Sequence, residues 1–226
     1  MRRALTPLVF VVIACGGGQT TPLPVDAAKS TVVITKMNAR ADDNEDVQAT
    51  VTLLSKDGKP VSKQAIEVAI SGTGNIASLS GSSDQNGVVV VTMRSSVAEE
   101  KTVTVTAGEV TLDAKPKVTF VPGPIQALTF ATQPGTTRVG QVITPAIVVT
   151  AADSKGNLVK DSDVTVSVRL VRSTGGVVMN GGARAIADGG VRFDMLTVDR
   201  AQAGYALRAE SSSGYQVESN TFEVTP

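Results

Sequence analysis

The chain has 226 residues with 21 basic and 21 acidic side chains, no histidine, no tryptophan and a single cysteine. Because the net charge is zero, the protein as a whole has no electrostatic field that would attract nucleic acid. Histidine is the commonest general base and a frequent zinc ligand, so its lack excludes the usual forms of both kinds of site. One cysteine cannot form an intramolecular disulfide, and aromatic residues make up only 3% of the chain. Any core must therefore consist largely of Val, Ile, Leu and Ala.

The first residues have the order of a secretory signal. Arg2 and Arg3 precede an apolar run from Ala4 to Ala14. The run is far shorter than the roughly 18 to 20 residues that a membrane-spanning helix needs. The sequence therefore predicts an exported protein whose first 14 residues are removed.

The residues "VIAC" that end at Cys15 resemble the lipobox of bacterial lipoproteins. The resemblance implies cleavage directly before Cys15, which then carries acyl chains such as palmitate, and two or more chains hold a protein on a membrane. Gly16 follows, where an aspartate would resemble inner-membrane retention, so we expect an outer-membrane lipoprotein that faces either the periplasm or the exterior. The alternative is an ordinary signal peptide with an incidental cysteine.

Residues 15–29 have the sequence "CGGGQTTPLPVDAAK" and show no apolar period. Their Gly, Thr and Pro content is typical of a flexible tether. We expect this lipidated tether to separate the membrane from the first folded unit.

From Ser30 onward the apolar residues alternate with polar ones. The segments "VQATVTLL" from Val47, "AIEVAI" from Ala65 and "KTVTVTA" from Lys101 each place β-branched residues on one face. Clusters of Gly, Asp, Asn and Ser separate such segments, and no stretch sustains a helical period. The sequence thus predicts an all-β chain of antiparallel sandwiches.

The chain also repeats itself. "SKDGKPVSKQAIEVAI" from Ser55 aligns with "DSKGNLVKDSDVTVSV" from Asp153, so that Gly58 corresponds to Gly156. Two units of about 100 residues, the usual size of an Ig-like sandwich, follow from this repeat. We place the first domain at residues 30–121 and the second at residues 122–226, joined at "VPGPI".

Both units resemble bacterial Ig-like domains. In the first, "DGKPV", "AIEVAISGTG" and "SSDQNGVVVVTM" follow one another as in the repeats of invasin and intimin. In the second, "LTFATQP", "DSKGNLV" and "AGYALRAE" are similar to related repeats. The resemblance implies an extracellular stalk or spacer, sometimes with an adhesive tip.

Two groups of charged residues are candidate sites. Asp42, Asp43, Glu45 and Asp46 could offer oxygen ligands to Ca²⁺, although they lack the spacing of an EF-hand, and a solvated loop is the alternative. If Val166, Val168, Tyr205 and Leu207 face inward, Arg169 and Arg208 point outward on the neighbouring third and sixth strands. This pair could hold an acidic glycan or a protein carboxylate, or it could be an ordinary solvated strand face.

The buried tyrosine and the exposed one are also predicted from the pattern. Tyr205 should lie in the second core with its hydroxyl bonded to a backbone group, as in the tyrosine corner of Ig sandwiches. Tyr215 should lie at the edge of a hairpin, where its removal costs little stability.

We interpret the chain as a non-enzymatic, lipid-anchored and monomeric envelope protein, because it lacks catalytic serine, dinucleotide and phosphate-loop motifs. It would act as a spacer or adhesion-type module that binds the membrane through its anchor, and a protein or glycan through a sandwich face. We expect no cofactor, no metal and no nucleic acid. The alternatives are an envelope subunit that braces a partner protein, and a carbohydrate-binding accessory module for which Tyr215 is nearly the only aromatic candidate.

Overall fold

The structure is a computed structural model that describes residues 9–11 and 23–226, so Cys15 lies outside the described residues. Within them, no helix is long and apolar enough to cross a membrane. The chain divides into two compact units, residues 1–122 and residues 123–226. The sequence places the boundary after residue 121, one residue earlier.

The first unit holds ten of the described strands: β1 (Val9–Val11), β2 (Thr31–Ile34), β3 (Asn38–Arg40), β4 (Val47–Thr52), β5 (Ile66–Ile70), β6 (Asn75–Leu79), β7 (Val88–Ser95), β8 (Glu100–Ala107), β9 (Val110–Thr111) and β10 (Lys117–Val121). One sheet has the order β2-β4-β7-β6 and the other has the order β1-β5-β8-β10-β3, with β9 on β8. All pairs are antiparallel except β10 with β3.

The second unit holds β11 (Ala127–Phe130), β12 (Thr137–Arg138), β13 (Ile147–Ala152), β14 (Ser162–Val171), β15 (Val178–Met179), β16 (Arg184–Ile186), β17 (Gly190–Phe193), β18 (Thr197–Val198), β19 (Gln202–Ser211), β20 (Gln216–Glu218) and β21 (Phe222–Thr225). Its sheets have the orders β11-β13-β17 and β12-β21-β19-β14-β16, with β20 on β19, and β15 forms a ribbon with β18. The predicted all-β architecture is confirmed.

The alternation of side chains decides which face of each strand is buried. In β4, Val47, Ala49 and Val51 are buried between exposed or half-buried Gln48 and Thr50. Because successive side chains point to opposite faces of a sheet, each strand contributes one apolar row to the core. Two separate clusters result, one built from residues between Val32 and Phe120 and the other from residues between Ile125 and Val224.

The repeat predicted from Gly58 and Gly156 is a shared turn. Each glycine has a positive φ, 76° and 84°, and each donates its N–H to the residue three positions earlier, Ser55 or Asp153. Gly is the residue that adopts this conformation without a steric cost. The same turn chemistry therefore recurs at an offset of 98 residues.

Asp153 strengthens the second copy of this turn. The residue is 5% exposed. Its carboxylate accepts hydrogen bonds from the N–H groups of Gly123, Lys155 and Asn157 and from the Asn157 side chain, at 2.8–2.9 Å. Burial is the largest single influence and acts to raise the pKa of Asp153, but the hydrogen bonds outweigh it, so the pKa lies below its ordinary value. The buried carboxylate therefore remains ionised in the folded domain.

The two domains differ in where one strand pairs. In the first, β6 precedes β7 along the chain and pairs with it. In the second, β16 precedes β17 but pairs with β14 in the opposite sheet. Among the described strands, β17 therefore has a strand neighbour on one side only, which is β13.

Candidate functional site

Arg169 and Arg208 lie directly opposite each other on β14 and β19, in an antiparallel register that pairs their Cα positions. Val168 and Leu207 on the same strands are buried, at 4% and 0% exposure. The inward and outward assignments predicted for these strands are thus confirmed, and the structure brings the two arginines onto one sheet face.

Three further charged side chains complete what we call the arginine strip, which consists of Arg169, Arg172, Arg208, Glu210 and Glu218. Glu218 on β20 accepts hydrogen bonds from Arg208 at 2.5 and 3.2 Å and from Arg172 at 3.2 Å. Glu210 lies 3.7 Å from Arg169. The sequence did not reveal these partners, because they depend on the pairing of β20 with β19.

The electrostatics of the strip leave Arg169 as its most available cation. Hydrogen bonds from Arg208 and then from Arg172 hold the pKa of Glu218 below its ordinary value, so Glu218 stays charged and occupies both guanidinium groups. Arg169 has the longest ion pair of the three, at 3.7 Å, and its side chain is 55% exposed, against 60% for Arg172 and 30% for Arg208. Chemically, the strip can accept a carboxylate or sulfate at Arg169.

The acidic loop does not gather its carboxylates around one point. The Asp42 carboxylate accepts hydrogen bonds from the N–H groups of Asn44 and Glu45 at 2.9–3.0 Å. Glu45 forms an ion pair with Lys36 at 2.7 Å, and Asp46 forms one with Arg94. These hydrogen bonds hold the pKa values of the three carboxyl groups below their ordinary values. Among the described residues, no group of three or more acidic side chains is placed to hold a metal ion.

Tyr205 occupies the corner position that the sequence predicts. It is fully buried, and its hydroxyl donates to the carbonyl of Arg200, five residues earlier, at 3.2 Å. A Cβ atom at Gly176 would lie 2.4 Å from the hydroxyl oxygen, so the tyrosine also requires glycine at that position. Phe193 and Val166 are buried in the same cluster, whereas Val164 is only half-buried.

Tyr215 lies at the edge of the hairpin between β19 and β20, as the sequence predicts. Its ring is also half-buried against the second core, and its hydroxyl donates to the Gln126 side chain at 2.8 Å. The ring packs there because β20 folds back onto β19, which brings the hairpin over the core. Tyr215 therefore offers no free aromatic platform for a sugar.

Lys101 is a residue that the sequence interpretation missed. Its side chain is 0% exposed, and its ammonium donates to Glu99 and to the carbonyl of Thr73, each at 2.7 Å. The hydrogen bond from Lys101 is the largest influence that holds the pKa of Glu99 below its ordinary value. A signal was present, because Lys101 continues the inward row of Val103 and Val105 at a spacing of two.

Comparisons with known proteins bear on both domains. Residues 29–121 match the family model described as bacterial Ig-like domain (group 1), and the chain has no match among curated proteins. InvD of Yersinia pseudotuberculosis is 17% identical, with a TM-score of 0.57; the alignment covers 89% of this chain and 58% of InvD.

Two further solved structures align over a similar share of this chain but have lower TM-scores than InvD. InvE of Yersinia pseudotuberculosis, described as an adhesin, is 19% identical over 88% of this chain and 60% of InvE, with a TM-score of 0.45. FdeC of Escherichia coli, also described as an adhesin, is 16% identical over 90% of this chain and 66% of FdeC, with a TM-score of 0.47. The likeness to InvD shows a shared fold, and the chain spans little more than half of InvD.

Proposed function

Residues 29–121 match the family model of the bacterial Ig-like domain (group 1), and from this match we propose a non-enzymatic envelope protein that displays two Ig-like domains as a spacer or adhesion-type binding module. A lipid on Cys15 anchors it to the outer membrane. The family match over residues 29–121 is the observation that carries the proposal. The protein acts as a monomer without a cofactor, and its partners are the membrane and a protein or glycan ligand.

The anchor rests on the "VIAC" motif. Processing before Cys15 removes β1, whose three residues pair with β5. The described core residues of the first domain lie between Val32 and Phe120, so we expect the domain to remain folded after this cleavage. Residues 15–29 then serve as the tether.

The anchor is tested by replacing Cys15 with Ser and fractionating the cells. Acylation needs the thiol, so the variant should move from the membrane pellet to the soluble fraction after a carbonate wash. Thr21→Ser, a matched change within the tether, should leave the protein in the pellet. A Cys15→Ser variant that still sediments with membranes would remove the lipid anchor from the proposal, while protease treatment of intact cells reports which side the domains occupy.

The arginine strip is the ligand face in this proposal. An anionic ligand would approach Arg169, whose ion pair to Glu210 is the longest in the strip. A heparin column is a suitable polyanionic probe, because elution depends on the exposed cations. Arg169→Gln should elute at lower salt than the unaltered protein and than Arg138→Gln, a matched exposed arginine on β12. Equal elution of the two variants would exclude Arg169 as the contact.

A carbohydrate-binding accessory module is less well supported by the geometry. Such modules stack sugar rings on exposed aromatic side chains, but Tyr205 is buried and Tyr215 is half-buried and hydrogen-bonded. A glycan would therefore have to be recognised through charge rather than through stacking.

A further inference from the structure

In the second domain β16 pairs with β14 instead of β17, and this leaves part of the β17 edge without a paired strand. Gly190 exchanges hydrogen bonds with Ala187 across a tight turn, and the carbonyl of Arg192 accepts the Arg184 guanidinium at 2.8 Å. The N–H and C=O of one strand residue point to the same side. The N–H of Arg192 therefore points away from β13, toward the side on which β16 diverges from β17 to pair with β14.

An open cleft of about 520 Å³ lies beside this edge. Val148, Leu158, Ala187 and Gly190 line its apolar part. The equivalent position in the first domain is Val88, because Val88 pairs with Thr52 as Gly190 pairs with Thr150. The cleft thus exists in the second domain partly because glycine replaces valine in the same register.

Two arginines give the cleft its polar groups. Arg184 is held in place by the Arg192 carbonyl, by Asp194 at 3.4 Å and by the Phe193 ring, whose centroid lies 5.2 Å from the guanidinium carbon. The Arg192 side chain is exposed and forms no ion pair or hydrogen bond with any residue in the described ranges. The lining has one acid, Asp188, against these two cations.

We propose that this cleft and the uncovered edge of β17 form a docking site for an extended, acidic segment of a partner protein. An aliphatic side chain of the segment enters the apolar part, a carboxylate forms paired hydrogen bonds with Arg192, and a backbone carbonyl accepts the Arg192 N–H. The volume is in the range of roughly 300 to 1,000 Å³ that ligand pockets occupy.

A protein segment fits this site better than an acidic sugar does. The apolar part of the lining is aliphatic, and none of the lining residues has an aromatic ring on which a sugar could stack. The Arg192 N–H at the edge of β17 offers one backbone hydrogen bond in the direction that an added strand uses. The site is distinct from the arginine strip, which lies on the opposite sheet, and it does not depend on the lipid anchor.

The test is an NMR titration of the full chain with the peptide acetyl-Asp-Leu-Val-Asp-amide. We expect saturable shifts of the Gly189, Gly190 and Arg192 amides, with a Kd of about 1 mM. The matched peptide acetyl-Asn-Leu-Val-Asn-amide, which lacks the carboxylates, should bind about tenfold more weakly.

Variants separate the two parts of the site. Arg192→Gln removes the carboxylate partner, and Ala187→Phe fills the cleft from an exposed position, so each should weaken binding about tenfold or more. Arg138→Gln on β12 should change the Kd less than about twofold. Shifts that do not saturate, that lie elsewhere, or that survive both variants would overturn the proposal. Tighter binding of glucuronate at the same amides would overturn the choice of a protein partner.

Discussion

Removal of the Tyr205 side chain is the sharpest test of the second core. The ring is 0% exposed, lies 6.1 Å from the Phe222 ring and carries the hydroxyl that bonds to the Arg200 carbonyl at 3.2 Å. Three variants divide these contributions: Tyr205→Ala, Tyr205→Phe and Tyr215→Ala.

The magnitudes follow from these contacts. Replacing a buried aromatic ring with Ala costs about 3 to 5 kcal/mol through lost transfer energy and the remaining cavity, and loss of the contact with Phe222 adds to the upper part of that range. Tyr205→Phe removes one hydrogen bond, which the hydroxyl donates to the carbonyl of Arg200. That variant should therefore cost about 1 kcal/mol. Tyr215→Ala should cost about 1 to 2 kcal/mol, because its ring is half-buried.

The assay is urea denaturation of the full chain followed by tyrosine fluorescence. The protein has no tryptophan and two tyrosines, both in the second domain, so this signal reports that domain alone. Each alanine variant keeps the other tyrosine as its reporter. Far-UV circular dichroism, which also follows the first domain, serves as the control that its transition is unchanged.

Equal and small losses for Tyr205→Ala and Tyr215→Ala would refute this account of the core. Such a result would mean that Tyr205 faces solvent, and the alternation on β19 would then be reversed. Arg208 would consequently face inward, and the arginine strip could not exist as described.

Three further predictions concern stability. Glu99→Ala should lower the free energy of unfolding in denaturant by about 3 kcal/mol or more, because it leaves the buried Lys101 ammonium without its counterion. Lys101→Met should lower it much less. A larger loss for Lys101→Met than for Glu99→Ala would contradict the buried ion pair. The folded-state pKa of Asp153 lies below its ordinary value of 3.8, so its contribution is complete above that pH and is lost as pH falls through the folded pKa. Unfolding of the second domain should hence become easier below about pH 4, and a similar acid slope in Asp153→Asn would count against this cause. Fragments 28–122 and 123–226 should each melt cooperatively by calorimetry, and failure of both while the whole chain is stable would indicate one merged domain.

Local chemistry was sufficient to predict the strands, the repeat and the buried tyrosine. Val47 and Val51 lie on one face of β4 whichever strand pairs with it, because successive side chains of any strand point to opposite faces of the sheet. Gly58 and Gly156 predict the same turn, since a positive φ is a property of one residue. Tyr205 lies two residues before Leu207, so both side chains enter the core together.

Partner choice across the sheets was decided only by the tertiary structure. Lys101 follows the inward pattern of β8, but its burial requires Glu99 and the Thr73 carbonyl, which the fold brings to the ammonium. The arginine strip could be predicted as far as Arg169 and Arg208, but Glu218 reaches Arg208 through the pairing of β20 with β19.

The cleft in the second domain illustrates the physical reason. The three residues of β16 do not predict that this strand pairs with β14 instead of β17. The backbone hydrogen-bonding groups are the same at every strand edge, so they do not select a partner. The choice depends on how whole sheets pack their apolar rows, which is a sum over contacts far apart in the chain. The side-chain pattern therefore determines which face of a strand is buried, whereas long-range packing determines which edge remains open.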